Sequence, residues 1–178
     1  MALNRFKNSP RGLGLIEVVV YVALLSLVLI LLSDFILQLA NTYNRSRAER
    51  EVISNARLIL ETVNKSVSQA ERIYAPASLF NINAGQLSLF TLIGAPAEHT
   101  GTYVDFWADN GRMMLKRENA GEVPLSASSV RVNKFFVERI TQGLGREAVK
   151  ITLEMRSAST RYPATITLNS TTALRGNY

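Results

Sequence analysis

The sequence predicts an α+β protein in which one long N-terminal helix, membrane-spanning over its first half, packs on an antiparallel meander β-sheet. Three observations indicate this class. No charged residue occurs from Val18 to Ser33, and no glycine or proline occurs between Gly14 and Pro76. After Pro76, apolar and polar side chains alternate in short segments that turn-forming residues separate. We therefore expect a helical first part and a β-rich second part.

The apolar run at the start of the helix is long enough to cross a bilayer. Counted from Leu13, it contains about 20 residues, which span roughly 30 Å at the helical rise. Glu17 is the one carboxylate in this otherwise uncharged run. A charged side chain costs on the order of 2.5–3.5 kcal/mol at the bilayer centre. Glu17 is therefore a candidate functional residue, and the alternative is a generic signal anchor with a glutamate near the lipid headgroups.

A short basic segment precedes the apolar run. It contains Arg5, Lys7 and Arg11 and ends at Gly12. Basic residues before an anchor remain in the cytoplasm, which predicts that everything after the anchor lies outside. The net charge of +6 falls to +3 without this segment. The run is too long for an ordinary secretory signal peptide, and no small-residue cleavage site follows it.

The residues Arg11-Gly12-Leu13-Gly14-Leu15-Ile16-Glu17, with the apolar run behind them, resemble the prepilin signature of type IV pilins and type II secretion pseudopilins. The resemblance implies that a prepilin peptidase cuts between Gly12 and Leu13 and that the new Leu13 amine is methylated. It also implies that Glu17, fifth in the mature chain, sets the register between subunits during assembly. The family more often has Phe and then Thr or Ser after the cleavage site, a difference that concerns peptidase preference.

The same resemblance implies the partners and the location of the protein. The partners are the prepilin peptidase, other pilin or pseudopilin subunits, an inner-membrane assembly platform, and membrane lipid around residues 13–33. The protein is expected in the cytoplasmic (inner) membrane as a single-pass protein, with a cytoplasmic N-terminus and an extracytoplasmic body. It then enters a pilus or pseudopilus at the cell envelope. The implied role is that of a structural subunit without a cofactor, not an enzyme.

The chain divides into four expected segments: a leader (1–12), a membrane or filament-core half of the helix (13–40), an amphipathic half of the helix (41–75) and a β-rich exported body (76–178). The helix is predicted to extend from about Leu13 to Tyr74, with Pro76 as its stop. Its amphipathic half has an apolar stripe with helical spacing. The residues of this stripe are Ile53, Ala56, Leu60, Val63, Val67 and Ala70.

The body is predicted to consist of strands with one buried face each, which is typical of an antiparallel sheet covered on a single side. Asn110-Gly111 is the strongest hairpin signal. The clearest alternation places Val149 and Ile151 on one face and Lys150 and Thr152 on the other. The expected strands are Gln86–Leu92, Thr102–Ala108, Arg112–Glu118, Val130–Ile140, Glu147–Arg156 and Ala164–Asn169. We expect the apolar stripe of the helix to cover them.

Little in the sequence indicates catalysis or metal binding. The chain has no cysteine and a single histidine, His99, so a zinc site or a Cys/His dyad is excluded. Gly143-Leu144-Gly145 is a fragment of a phosphate-loop pattern that fits a hairpin turn better. Five oxygen-bearing residues match no compact calcium loop; they are Asp105, Asp109, Asn110, Glu118 and Glu122. Trp107 shares a strand face with Tyr103 and Asp105 and carries no assignment.

DNA is a further partner to weigh, because some proteins of this family bind it. The basic clusters Arg45/Arg47/Arg50 and Lys116/Arg117 are interleaved with or followed by acidic residues, which argues against a continuous track for phosphates. Within the family, the absence of a helix-breaking proline and the size of the body favour a minor or initiating subunit. The alternatives are a major pilin and a signal-anchored exported ligand-binding domain that does not polymerise.

Overall fold

A computed structural model describes residues 14–95, 101–118, 120–142 and 146–175. The chain forms two compact units with a boundary between Tyr43 and Asn44, and each is described by itself. In the first unit, the described residues from Leu15 onward are helical. They belong to helix α1, Leu15–Gln69, which continues into the second unit. The second unit also contains all the strands.

Among the described residues, eight strands form two antiparallel sheets. Their bounds are β1 Arg72–Ile73, β2 Gln86–Thr91, β3 Thr102–Asp109, β4 Arg112–Arg117, β5 Val123–Pro124, β6 Val130–Gln142, β7 Arg146–Ser157 and β8 Thr165–Ala173. A short 3₁₀ helix, Ala75–Ala77, follows β1. Sheet A has the order β1-β2-β3-β4-β5 and sheet B the order β6-β7-β8. Since neighbours in each sheet are also neighbours in sequence, both sheets are meanders.

The turn between β3 and β4 forms at the predicted position. Asn110 and Gly111 have φ values of 49° and 73°, and Asp109 pairs with Arg112 on either side of them. Two successive residues with positive φ are the mark of a type I′ turn, which suits the twist of a two-residue hairpin. Arg131 of β6 donates a hydrogen bond of 3.1 Å to the Asn110 carbonyl oxygen and so links the turn to sheet B.

The core lies between the second part of α1 and the two sheets. The buried residues of α1 are Val52, Ala56, Ile59, Leu60, Val63 and Val67. Facing strands contribute fully buried side chains, among them Leu87, Leu89, Phe106, Phe135, Val149, Ile151, Leu153 and Met155. Burial of this apolar surface is the main favourable contribution to folding, at roughly 25 cal/mol per Å². Both sheets therefore pack on one shared helix face, in addition to the direct hydrogen bonds between them.

The structure confirms the predicted fold class, with one long N-terminal helix on antiparallel β-structure. It divides the strands into two sheets, where the sequence suggested one. The helix also ends at Gln69, earlier than the predicted Tyr74. The chain leaves the helix because Arg72 and Ile73 pair with Phe90 and Leu89 of β2, which satisfies their backbone groups in sheet A.

Candidate functional site

The start of α1 carries the candidate residue Glu17 in its first turn. The Gly14 carbonyl oxygen accepts the backbone N–H groups of Glu17 at 2.9 Å and Val18 at 3.4 Å. A carboxylate in the first turn interacts favourably with the positive end of the helix dipole. Gly12 and Leu13, the predicted processing residues, lie outside the described residues. The structure thus describes the predicted assembly residue, Glu17, but not the predicted cleavage site.

The helix around Glu17 exposes apolar side chains on all sides. From Leu15 to Leu39, its large hydrophobic side chains are between 47% and 84% exposed. An 18-residue window of α1 has a mean hydropathy of 2.9, and none of that window is buried. A helix that is apolar all round needs lipid or a protein core around it. By length and composition, α1 can cross a membrane.

Polar groups within this apolar surface are bonded inside the helix. The Tyr21 hydroxyl donates to Glu17 Oε1 at 3.3 Å. Ser26 donates to the Ala23 carbonyl oxygen at 2.8 Å, and Ser33 does the same to Leu29 at 2.8 Å. Since an unbonded hydroxyl is costly in an apolar medium, these bonds lower the cost of placing the segment there.

Tyr21 also belongs to this site, although the apolar run in the sequence did not single it out. The signal was available, because Glu17 and Tyr21 are four residues apart and side chains at that spacing are neighbours on a helix. The hydroxyl of Tyr21 gives the carboxylate a polar partner that the apolar run otherwise lacks. The two residues form one polar patch on an apolar helix.

The outer face of sheet A forms a second candidate site. A cavity of about 310 Å³ lies there, lined by Tyr74, Tyr103, Asp105 and Lys116 among others. Asp105 Oδ1 is buried without a hydrogen-bond partner among the described residues. Lys116 is opposite Asp105 in the strand register, but its Nζ is 3.6 Å from Glu122. Because a cationic residue is the direct cross-strand neighbour of Asp105, the buried carboxylate oxygen does not by itself indicate a ligand.

The other candidate residues named from the sequence form no metal or phosphate site among the residues that the structure describes. No group of three or more His, Asp or Glu side chains that could hold a metal ion occurs among the residues it describes. His99 and Gly143-Leu144-Gly145 lie outside them. In the first basic cluster, Arg45 is 3.2 Å from Glu49 and Arg47 is 3.5 Å from Glu51. These ion pairs neutralise part of the charge that a nucleic acid would need.

No protein-family model matches the chain. No curated protein and no solved structure is significantly similar to it. What the chain does is therefore inferred from its own residues and contacts.

Proposed function

We propose that the chain is a structural prepilin of a type IV pilus or a type II secretion-like filament. In this proposal it is processed after Gly12 and assembles through its N-terminal helix as a minor or initiating subunit. The observation that carries the proposal is Glu17 in the first turn of a helix whose apolar surface is exposed on all sides. A helix of this kind has two suitable environments, a bilayer and a bundle of similar helices.

The exposed apolar surface supports transfer between those two environments. Lipid tails and a helix bundle are both apolar, so moving from one to the other involves little hydrophobic cost. Packing and polar contacts between helices then decide whether the subunit leaves the membrane. Within the segment from Leu15 to Ser33, Glu17 is the one charged side chain that could form such a contact.

Cleavage after Gly12 would create the group that Glu17 needs. The new amine at Leu13 carries a positive charge, whether or not it is methylated. In a water-poor bundle, a carboxylate and an ammonium from adjacent subunits attract each other strongly, and each is costly alone. Pairing of Glu17 with the Leu13 amine of a neighbour would set the axial position of each incoming subunit.

The observation that favours the alternative function is the hydrogen bond from Tyr21 to Glu17. A signal-anchored domain that never polymerises also needs a partner for its carboxylate, and Tyr21 supplies one within the same helix. This alternative requires no peptidase and no neighbouring subunit. Processing therefore separates the two functions.

The test is mass spectrometry of the protein extracted from membranes of cells with an active prepilin peptidase. The proposal expects a chain that begins at Leu13 and carries an N-methyl group. A bulky residue at position 12, as in Gly12→Trp, should block cleavage, whereas Gly12→Ala should slow it. An intact N-terminus at Met1 in the wild-type protein would overturn the proposal in favour of the anchored domain.

A further inference from the structure

Strand β8 is an edge strand of sheet B, with β7 on one side of it. Two backbone bonds, from Ser157 N–H to Ala164 and from Leu174 N–H to Glu147, fix which of its residues face β7. In an antiparallel pair, alternate residues bond the partner and the others point away. The residues whose N–H and C=O groups point away from β7 are Thr165, Thr167, Asn169, Thr171 and Ala173. Among the described residues, no backbone group bonds to this outer edge.

The edge lacks the features that usually prevent further strand pairing. Natural edge strands are short, charged, bulged or interrupted by proline. Strand β8 has nine residues with no charge and no proline, and its register with β7 contains no shift. By contrast, the edge strands of sheet A have two residues each. The outer side of β6 already accepts N–H groups from Asn81 and Gly85.

Two depressions follow each other beside this edge, both lined by residues of α1 and β8, and together they form one surface. We call it the α1–β8 groove. One part, of about 330 Å³, includes Ile53 and Ile166, and another, of about 710 Å³, includes Leu60 and Leu168. Asn64 holds the two walls together, since it donates to Ser170 at 2.7 Å and accepts from Thr172 at 3.0 Å. The groove therefore combines apolar side chains with a free row of backbone groups.

The charges along the groove favour an acidic occupant. Arg45 and Glu49 pair with each other at one end. Farther along, Arg57, Glu61 and Lys65 line the groove, and the described structure contains no ion pair for any of the three. Two positive charges and one negative charge leave a net charge of +1 there. A carboxylate near Arg57 and Lys65 would be attracted to this part of the groove.

We propose that the α1–β8 groove binds an extended segment of another protein, which adds to β8 as a further strand of sheet B. Its main chain bonds the outer edge of β8. Its alternate side chains face α1, where apolar residues contact Leu60 and Leu168 and an acidic residue lies near Arg57 and Lys65. This proposal deepens the proposed function, because it describes how a partner would bind the body of the subunit.

A second copy of the chain is a poorer occupant. Symmetric antiparallel pairing of two β8 strands rotates one copy by half a turn in the plane of the sheet. The two α1 helices would then run in opposite directions beside each other. Subunits anchored in one membrane by α1 have their helices in the same direction, so symmetric self-pairing conflicts with the proposed function.

The first experiment measures the binding of fluorescent nine-residue peptides, the length of β8, to the full chain in detergent. The parent peptide, called the glutamate peptide, alternates threonine and valine, with one valine replaced by glutamate. Two further peptides carry N-methyl groups on one or the other set of alternate amides. Strand addition expects the glutamate peptide to bind and one methylated peptide to lose about tenfold in affinity, while the other binds normally. Equal binding of both methylated peptides, or no binding of the unmethylated one, would overturn the proposal.

The second experiment changes the groove. Asn169→Pro removes an outward N–H that β7 does not use, and Asn169→Thr is its matched control. Lys65→Glu should weaken binding of the glutamate peptide and strengthen binding of a peptide that has lysine in place of the glutamate. Arg112→Glu, which makes the same charge change on β4, should alter neither affinity. If Asn169→Pro keeps its melting temperature and also its affinity, strand addition at β8 is wrong. If that variant fails to fold, the methylated peptides still decide.

These outcomes are distinguishable from failure of the proposed function. Peptide binding requires neither processing nor a filament, so a Glu17→Leu chain should bind the glutamate peptide like the wild type. Processing at Gly12 with no peptide binding would leave the filament proposal intact and remove the groove proposal. Peptide binding by a chain that is never processed would leave the groove proposal intact and remove the filament proposal.

Discussion

The Tyr21 hydroxyl donates a hydrogen bond to Glu17 Oε1 across one turn of α1, at 3.3 Å. Both side chains lie on a helix surface that is otherwise apolar. In water such an exposed bond contributes little, but in an apolar medium the loss of a donor to a carboxylate is costly. This contact makes Tyr21 the neighbour that holds the Glu17 side chain in place on the helix.

Substitution of Tyr21 by phenylalanine removes the hydroxyl and keeps the ring. Under the filament proposal, we expect Tyr21→Phe to insert and to be cleaved like the wild type, because the change makes the helix more apolar. Crosslinking to partner prepilins should fall to a level between those of the wild type and Glu17→Leu, since the carboxylate loses its donor but can still attract an amine. A Tyr21→Phe protein that crosslinks like the wild type would show that the bond has no part in assembly.

Substitution of Glu17 by leucine tests the carboxylate itself. Under the filament proposal, Glu17→Leu should insert slightly better than the wild type, because it removes the cost of placing a carboxylate in an apolar medium. Cleavage after Gly12 should continue, whereas crosslinks to partner prepilins should be lost. Glu51→Leu, the same change on the body part of α1 and outside the α1–β8 groove, should retain these crosslinks. Wild-type crosslinking by Glu17→Leu would favour the signal-anchored domain.

The core face of α1 can be tested with a matched pair of substitutions. Leu60 is 7% exposed and Leu58 is 53% exposed on the same helix. Leu60→Asp buries an unpaired charge and loses core contacts, at a cost of several kcal/mol against a typical stability of about 5–15 kcal/mol. We expect it to unfold the body, while Leu58→Asp should change the melting temperature little. Equal melting temperatures of the two variants in circular dichroism would contradict this description of the core.

Asn64 links α1 to the edge strand β8 through two side-chain bonds. Asn64→Ala leaves Ser170 and Thr172 without this partner at a half-buried position. The expected loss is about 1–3 kcal/mol in the free energy of unfolding. Urea unfolding should measure it, with Asn169→Ala on the exposed face of β8 as the control. A loss as small as that of the control would mean that water replaces Asn64 at no cost.

Removal of residues 1–40 should leave a soluble, monomeric body. The second compact unit begins at Asn44, and the buried residues of α1 from Val52 onward remain in this fragment. Without the exposed apolar part of α1, no long apolar helix surface remains to associate. Sedimentation should show a monomer, and a thermal scan should show cooperative melting. An aggregated fragment would indicate that the first part of α1 also protects the body.

The strands were predictable because their signals are local. The alternation of Val149, Lys150, Ile151 and Thr152 specifies a strand and its buried face without reference to any other segment. The same is true of Asn110-Gly111, whose residues favour positive φ by themselves. Strands β1 and β5, with two residues each, have no such signal, because only their partners in sheet A make them strands.

The rotation of α1 on the sheets shows a second limit of local patterns. The predicted stripe included Ile53, which is half-buried, and omitted Val52 and Ile59, which are 1% and 0% exposed. Spacing at three and four residues fits several adjacent stripes on a helix with many apolar side chains. The contact of α1 with both sheets determines which of these stripes is buried.

The sequence alone determined the apolar run with its single carboxylate, the long breaker-free helix and the alternating strands, because each is a property of neighbouring residues. Tertiary structure decided how the strands divide into two sheets, where the helix ends and which side chains meet across it. It also left β8 as an unpaired edge beside a groove. The reason is that pairing and burial depend on partners far apart in the chain, such as Asn64 and Thr172. A pattern of neighbouring residues cannot indicate which distant residue such a partner will be.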